Sequence, residues 1–287
     1  MLADAIRSES YRLFQNRTAV FWSVFFVPVI SLALSTLGFL LVKSKAAQIN
    51  GGQLPPELSL GGPLDLGQAI AGNAGDLANP AILAFLLIGA ATLYAGDYRW
   101  ETWRLISARN SRPNLLLGKV GVLKLLTLAA MLVFLLTGTL SEVIKAGIFA
   151  RPLTFTFGAT EAGQFALLFL LSFVRVVQFL MISLLAATVT RSLLAALFIP
   201  LVVGVGQFFL GGPFAPMLGL APGDWLTQLL LPGAAFDALK ALITGGMEAA
   251  ALPDGVAFKA IASLALWSLV PLAAAIAWFS RQDLSKE

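Results

Sequence analysis

Six long apolar stretches, almost free of charged side chains, constrain this chain more than any other feature of its sequence. A transmembrane helix needs about 20 apolar residues, because the hydrocarbon layer is about 30 Å thick and a helix rises about 1.5 Å per residue. Hydrophobic residues make up 58% of the 287 residues and charged residues only 12%, which is atypical of a water-soluble core. The sequence therefore predicts an all-α polytopic membrane protein, a single transmembrane domain over residues 1–287 with spans at 19–42, 80–96, 120–140, 164–190, 192–211 and 260–279.

A seventh apolar stretch, from Trp225 to Ile243, does not fit a span. Pro232 and Gly233 interrupt it, and it carries Asp237 and Lys240. Two short amphipathic or re-entrant helices before the sixth span explain this pattern better than a single crossing.

The chain begins with a short amphipathic segment at residues 2–16. Charged residues alternate there with an apolar stripe of Leu2, Ile6 and Leu13, which predicts a helix lying in the membrane interface. An ordinary solvated helix is the alternative that the sequence leaves open. The 24-residue apolar run that follows is too long for a cleavable signal peptide.

The basic residues are distributed unevenly between the two sides of the predicted membrane. Six spans place both termini on one side, which receives 12 of the 19 lysines and arginines, whereas the other side receives six and Arg175 lies within the fourth span. Because positive residues concentrate on the cytoplasmic side, we expect both termini to be cytoplasmic. The net charge of +4 is thus a topology signal, and we expect membrane lipid, not nucleic acid, as a partner.

Composition also narrows the chemistry. The chain has no cysteine and no histidine, which excludes disulfides, thiolate nucleophiles, Cys/His zinc sites and imidazole-based catalytic triads. None of the six spans contains an acidic residue, which argues against a proton-coupled secondary transporter. A self-contained secondary transporter or channel, and an intramembrane enzyme or scaffold, remain the competing classes.

The long connection between the second and third spans, residues 97–119, is the most informative loop. Large aromatic residues alternate there with charges of both signs, a pattern that suits a surface helix docked against a protein partner. It equally suits an interfacial loop held by lipid headgroups, and the residues alone leave both interpretations open. The residues concerned are Asp97, Tyr98, Arg99, Trp100, Glu101, Trp103 and Arg104.

This connection resembles that of the permeases of type-2 (six-span) ABC exporters. In that family an acidic residue ends the second span, and a Gly-Thr pair, a Ser-Arg step and a Gly-Lys pair follow. Glu101 stands where the family often has the glycine. The matching residues here are Asp97, Thr102, Leu105, Ser111-Arg112 and Gly118-Lys119, together with the C-terminal run Phe279 to Leu284.

The resemblance implies a permease subunit that exports an unidentified substrate across a bacterial inner membrane. The segment after Asp97 would be a coupling helix seated in a cytoplasmic ATP-binding subunit, and a second permease subunit, identical or different, would complete the pathway. ATP and Mg would bind the partner, because Gly118-Lys119 lacks the remainder of a phosphate-binding loop and no cofactor or enzymatic site is expected in this chain. The residues expected to couple to the ATPase are Asp97, Tyr98, Trp100, Glu101, Thr102 and Arg104.

Arg175 is the most costly residue to place in a bilayer, since it lies near the middle of the fourth span. Ser172 and Gln178 share its helix face. Arg175 therefore contacts the transported molecule or a partner half, or it is tied structurally to a backbone carbonyl or to an acid such as Glu142 or Glu161.

Small residues mark close helix packing in the second and fifth spans. Gly89, Thr92 and Gly96 share a face of the second span, and Gly204, Gly206 and Gln207 lie in the fifth. The resemblance implies that these spans meet their counterparts across a dimer, and packing within one subunit is the alternative. Pro200 should kink the fifth span or release a carbonyl. The candidate pathway or interface residues are thus Arg175, Gln178, Gly89, Thr92 and Gln207.

Overall fold

The computed structural model describes residues 2–45, 62–99, 103, 110–215 and 217–282. Two short strands, β1 (Leu64–Asp65) and β2 (Leu153–Thr154), pair in parallel. The helices of the described ranges are α1 (Leu2–Gln15), α2 (Arg17–Lys45), α3 (Leu66–Gly75), α4 (Pro80–Arg99), α5 (Arg112–Ile148), α6 (Ala159–Thr190), α7 (Leu193–Gly211), α8 (Trp225–Leu230), α9 (Pro232–Thr244), α10 (Met247–Ala250) and α11 (Val256–Arg281).

Six helices, α2, α4, α5, α6, α7 and α11, are long and apolar enough to cross a membrane. This confirms the predicted all-α polytopic architecture and its six spans. Except for α7, the helices are longer than their apolar stretches: α5 has 37 residues, because its polar ends continue the helix beyond the apolar part. The length of the apolar stretch reflects the thickness of the bilayer, whereas the length of the whole helix also depends on packing and on the residues at its ends.

The sixth helix in chain order, α6, forms the centre of the bundle and contacts α3, α4, α7 and α11. Most of its residues from Leu171 to Thr188 are buried. In contrast, α2, α7 and α11 present large apolar side chains outward, such as Leu34, Val202 and Leu269, which are 60%, 68% and 62% exposed. Such faces are stable only against lipid or another apolar surface.

The two ends of the bundle differ in construction. One end, here the terminus side, carries α1, the end of α4, the start of α5, the α6–α7 turn and the end of α11. The other, here the opposite side, carries α3, the two strands and α8–α10. The α6–α7 turn is only Arg191 and Ser192, with Arg191 left-handed at φ 56°, which agrees with predicted spans that end at residue 190 and start at residue 192.

The stretch from Trp225 to Ile243 is divided as predicted. The first helix, α8, ends at Leu230, and α9 starts at Pro232, whose missing N–H and fixed φ suit the first turn of a helix. Leu231 and Pro232 at the junction are buried. The two short helices therefore enter the bundle from the opposite side and turn back, as re-entrant helices do.

Proline also acts inside α7. Pro200 has no N–H for the carbonyl of Ala196 four residues earlier, so that carbonyl lacks its helical donor. The hydroxyl of Ser183 on α6 donates to it at 2.7 Å. The predicted release of a carbonyl is thus confirmed, and a neighbouring helix satisfies it.

Candidate functional site

Four charged residues form an ion-pair cluster on the terminus side. Asp97, at the end of α4, accepts from Arg12 of α1 and lies 2.5 Å from the ammonium of Lys119 on α5. Glu9 of α1 pairs with Arg12 at 3.0 Å and with Lys119 at 3.2 Å. Asp97, Lys119 and Glu9 are at most 2% exposed. Within the described part of the chain, the two positive charges of this cluster balance its two negative charges, which favours burial of ionic groups.

The fourth member of the cluster, Arg12, lies closer to solvent, with 40% of its side chain exposed. Burial alone would lower the pKa of Arg12, but its hydrogen bond to Asp97 and the charges of Glu9 and Asp97 outweigh burial and raise that pKa. Arg12 therefore stays charged, and it closes the cluster on the solvent side.

Glycines on α5 allow α1 to reach the cluster. A Cβ added to Gly118 would lie 2.9 Å from the Cβ of Ala5, and one added to Gly121 would lie 3.2 Å from Ile6. One face of α1 is thus packed on α5, while Tyr11 on its other face is 68% exposed. The Gly-Lys pair noted in the sequence has a physical basis: the glycine lets α1 approach and Lys119 binds its carboxylate.

The end of α11 closes the terminus side. Arg112 donates from Nη1 to the backbone carbonyls of Phe279, Ser280 and Gln282 at 3.2, 3.2 and 2.6 Å. The hydroxyl of Tyr98 donates to Gln282 Oε1 at 3.0 Å. The residues on both sides of the loop between α4 and α5 are therefore fastened to the C-terminal end of the last span.

Aromatic packing completes this attachment. Trp103 is 1% exposed and its ring lies 5.4 Å from that of Tyr98 and 4.5 Å from that of Phe279. The ammonium of Lys119 lies 5.3 Å from the same indole ring. The C-terminal residues that resemble those of type-2 permeases thus include Phe279 and Gln282, which contact Trp103 and Arg112 between and beside α4 and α5.

The predicted coupling residues divide into two groups. Asp97 and Tyr98 lie at the end of α4, are 0% and 8% exposed, and contact other parts of this chain. Burial therefore gives these two residues an anchoring position rather than a place on an outer surface. The other predicted residues, Trp100, Glu101, Thr102 and Arg104, lie outside the described residues.

A second polar cluster lies within the bundle, and the structure builds it from three of the predicted residues. Arg175 donates to Gln178 Oε1 at 3.1 Å and to Gln207 Oε1 on α7 at 2.6 Å. Its guanidinium carbon lies 4.7 Å from the centre of the Phe179 ring, and Gln178 donates to the carbonyl of Leu264 on α11 at 3.1 Å. We call Arg175, Gln178 and Gln207 the interior cluster.

Neither of the two acids given as possible structural ties for Arg175 pairs with it. Glu142 pairs with Lys145 at 3.4 Å, and Glu161 accepts from the backbone N–H of Gly158 at 2.9 Å. Ser172 shares the helix face of Arg175 but donates to the carbonyl of Ala74 on α3 at 2.8 Å. Both acids lie near the opposite-side ends of their helices, which is too far along the helix axis to pair with Arg175 at the middle of α6.

Sequence reasoning missed the part that the re-entrant junction plays in this cluster. A Cβ added to Gly233, the second residue of α9, would lie 3.3 Å from Arg175 Nη2 and 3.6 Å from Gln207 Oε1. The Pro232-Gly233 break was visible in the sequence as a turn signal, but its contact with Arg175 joins residues 58 apart in the chain.

The remaining candidates in α4 contact their own chain. A Cβ on Gly89 would lie 2.5 Å from Ser23 Oγ and 3.2 Å from Leu126, so Gly89 permits close packing of α2 and α5 on α4. Thr92 donates its hydroxyl to the carbonyl of Ile88 at 2.7 Å. These contacts favour the packing interpretation over the interface for Gly89.

An apolar groove of about 630 Å³ lies between α6 and α11, with α9 beside it. Its lining includes Leu170, Val174 and Leu264, and Lys124 contributes its positive charge. Leu264 also supplies the carbonyl that binds Gln178. The groove therefore borders the interior cluster.

Comparison with known proteins assigns the chain to a family. A family model described as "ABC-2 family transporter protein" matches residues 17–284, nearly the whole chain. No curated protein and no solved structure is significantly similar to it. The matched region contains all six spans, the interior cluster, and Asp97 and Lys119 of the ion-pair cluster, whereas Glu9 and Arg12 lie before it. This chain therefore belongs to the ABC-2 family of transporter proteins.

Proposed function

We propose that this chain is the permease subunit of an ATP-driven exporter and that a separate cytoplasmic ATP-binding subunit drives it. Membership of the ABC-2 transporter family supports a membrane permease. The observation that carries the coupling proposal is the way the loop between α4 and α5 is fastened. Buried ion pairs hold one side of it to α1, and Arg112 holds the other to α11.

This fastening gives the loop mechanical leverage over the bundle. Asp97 on α4 and Lys119 on α5 are joined directly, and Glu9 brings in α1. A push on the residues between Arg99 and Asn110 would therefore displace four helices, α1, α4, α5 and α11, together. Packed helices move as rigid bodies between a small number of stable arrangements, and this behaviour suits a gate with two states.

In this proposal, the residues that contact the ATP-binding subunit are Trp100, Glu101, Thr102 and Arg104. Asp97 and Tyr98 support that contact from within, because both are buried in this chain. ATP and Mg would remain on the partner, and its closure would rock the permease halves.

The remaining parts of the proposal concern assembly and location. The exposed apolar face of α7, which includes Val202 and Phe208 at 68% and 69% exposure, suits a second permease subunit, identical or different. The distribution of basic residues supports cytoplasmic termini in a bacterial inner membrane. The exported substrate is unidentified.

Purification and reconstitution test the function. We expect an ATP-binding subunit to copurify and its ATP hydrolysis to depend on the permease. Glu101→Ala and Arg104→Ala should release that subunit or uncouple its hydrolysis from transport, whereas Arg7→Ala, on the exposed face of α1, should do neither. A monodisperse, transport-active preparation that contains no nucleotide-binding partner would contradict the proposal and favour a self-contained secondary transporter.

A further inference from the structure

The apolar groove between α6 and α11 opens on the outer surface of the bundle. Leu170, Ile261 and Leu269 line its edges and are 57%, 58% and 62% exposed. Leu171 and Leu264 form its floor and are 7% and 4% exposed. The groove is therefore a recess in a membrane-facing surface, where the apolar chains of lipid are the surrounding solvent.

Small side chains on α11 create the recess. Ala265 and Ser268 lie in the lining between the larger Leu264 and Leu269. The hydroxyl of Ser268 donates to the backbone carbonyl of Leu264 at 2.8 Å, so it is already hydrogen-bonded within its own helix. The wall of the groove thus suits hydrocarbon rather than water, which would find few polar partners there.

The length of the groove matches one leaflet of a bilayer. On α6 its lining extends from Leu167 to Val177, which is about 15 Å at a rise of about 1.5 Å per residue. The hydrocarbon core of a bilayer is about 30 Å thick, so one acyl chain spans about half of it. The groove is therefore long enough to hold most of one acyl chain.

Lys124 closes the groove at the end nearer the terminus side. It lies in the fourth turn of α5, which starts on that side, whereas Ile243 and Ile261 at the other end lie near the opposite side. Lys124 is exposed, and among the described residues it takes part in no hydrogen bond or ion pair, whereas Lys119 is buried and paired with Asp97. A lysine inside an apolar span is stable when its ammonium reaches an anion or the lipid headgroups.

We propose that this groove binds one acyl chain of an anionic phospholipid from the terminus-side leaflet, with the ammonium of Lys124 paired to the lipid headgroup. The headgroup supplies the counter-ion that Lys124 lacks within the described part of the chain, and the acyl chain fills the recess toward Ile261. Anionic lipids of the cytoplasmic leaflet attract basic side chains near the membrane surface. The inference requires only that the chain spans a membrane, and it does not depend on ATP-driven export.

A second copy of this chain fits the groove less well than a lipid. None of the six apolar stretches contains an acidic residue, so a span of another copy that covered the groove would bring no counter-ion to Lys124. An unpaired charge buried between apolar helices is costly. Charge complementarity therefore favours the anionic lipid as the occupant.

Fluorescence quenching by brominated lipids tests the site in the purified permease, without any ATP-binding subunit. Because the chain has no cysteine, Leu269→Cys provides a single thiol for a bimane fluorophore at the edge of the groove. The labelled protein is reconstituted in phosphatidylcholine bilayers that contain increasing fractions of brominated phosphatidylglycerol or of brominated phosphatidylcholine with the same chains.

We expect brominated phosphatidylglycerol to bind about fivefold more tightly than brominated phosphatidylcholine, which corresponds to about 1 kcal/mol for one basic side chain near an anionic lipid. A bimane at Val202→Cys on α7, where the native residue is 68% exposed, is the matched control and should be quenched equally by the two lipids. Equal quenching by the two lipids at Leu269→Cys as well would overturn the proposal.

Variants separate the two parts of the site. Lys124→Gln should abolish the preference for phosphatidylglycerol, and Lys124→Arg should keep it. Ala265→Phe fills the recess and should weaken phosphatidylglycerol binding several-fold although Lys124 is unchanged, whereas Leu266→Phe, outside the lining, should keep the wild-type affinity. Loss in Lys124→Gln with no loss in Ala265→Phe would show a headgroup contact without a chain in the groove and would overturn the assignment.

One further outcome concerns the other occupant. If neither brominated lipid quenches the bimane at Leu269→Cys while both quench it at Val202→Cys, protein covers the groove and the lipid proposal fails. The result is also independent of the proposed function. Failure of an ATP-binding subunit to copurify would leave the lipid preference intact, and equal quenching by the two lipids would leave the coupling proposal intact.

Discussion

Replacement of Lys119 by methionine is the most revealing single change to the terminus-side cluster. The ammonium of Lys119 contacts Asp97 at 2.5 Å, Glu9 at 3.2 Å and the carbonyl of Leu93 at 2.8 Å, and the residue is 1% exposed. Methionine has a similar length and fills the same space without charge. Among the residues that the structure describes, the substitution therefore leaves the two buried carboxylates of Asp97 and Glu9 paired with Arg12.

The expected cost follows from this charge count. Removal of one partner from a buried ion pair costs about 3–5 kcal/mol, because the remaining charge stays buried without compensation. An exposed pair of the same chemistry contributes only about 0–1 kcal/mol. The chain supplies such a pair in Lys240 and Asp76, which lie 2.8 Å apart with side chains 35% and 63% exposed.

Thermal unfolding of the purified protein in one detergent, at one heating rate, compares the two sites. Lys119→Met should lower the unfolding temperature markedly, and Lys240→Met should leave it nearly unchanged. The double variant Asp97→Asn/Lys119→Met, which leaves Glu9 paired with Arg12, should recover much of the loss. Equal, small shifts in Lys119→Met and Lys240→Met would refute the role of the buried cluster.

Two other predictions follow from single positions. Gly118→Ala places a Cβ 2.9 Å from that of Ala5 and should destabilise the docking of α1 on α5 by about 1–3 kcal/mol, as measured by thermal unfolding. The control Gly96→Ala adds a Cβ with nothing within 4 Å and should be neutral or slightly stabilising. A larger loss of stability in Gly96→Ala than in Gly118→Ala would contradict the packing of α1 on α5. Because the chain has no cysteine, Ser280→Cys and Thr244→Cys each provide a single exposed thiol, one on each side of the bundle. A membrane-impermeant maleimide applied to intact cells should label only Thr244→Cys. Labelling of Ser280→Cys alone would show that the termini face outward and would contradict the predicted orientation.

The sequence predicts the spans well because the bilayer imposes a requirement that each segment must meet locally. The division at Pro232 and the short turn at Arg191 were equally accessible, since both depend on adjacent residues. The extent of α5 was not, because its polar first turns are stabilised by contacts with α1 and α11 rather than by lipid.

The two polar clusters could not be predicted from local sequence patterns, because their contacts join residues that are far apart in the chain. Asp97 and Lys119 were both singled out, but their link through Glu9 joins residues 110 apart, and no periodicity encodes that distance. Gln178 was found as a same-face neighbour of Arg175, while Gln207 was found only as a polar residue in a span. Neither Glu142 nor Glu161, the acids given as possible ties, pairs with Arg175, because side-chain amide oxygens on two helices accept from its N–H groups instead.

Site-specific photo-crosslinking from the loop between α4 and α5 tests the central claim most directly. A photoreactive amino acid placed at Trp100, Glu101 or Arg104 in the intact assembly should crosslink to an ATP-binding protein, and the same probe at Thr244 on the opposite side should not. Crosslinks from the loop confined to lipid, solvent or this chain, in a preparation that still transports, would contradict the account of an ATP-driven permease.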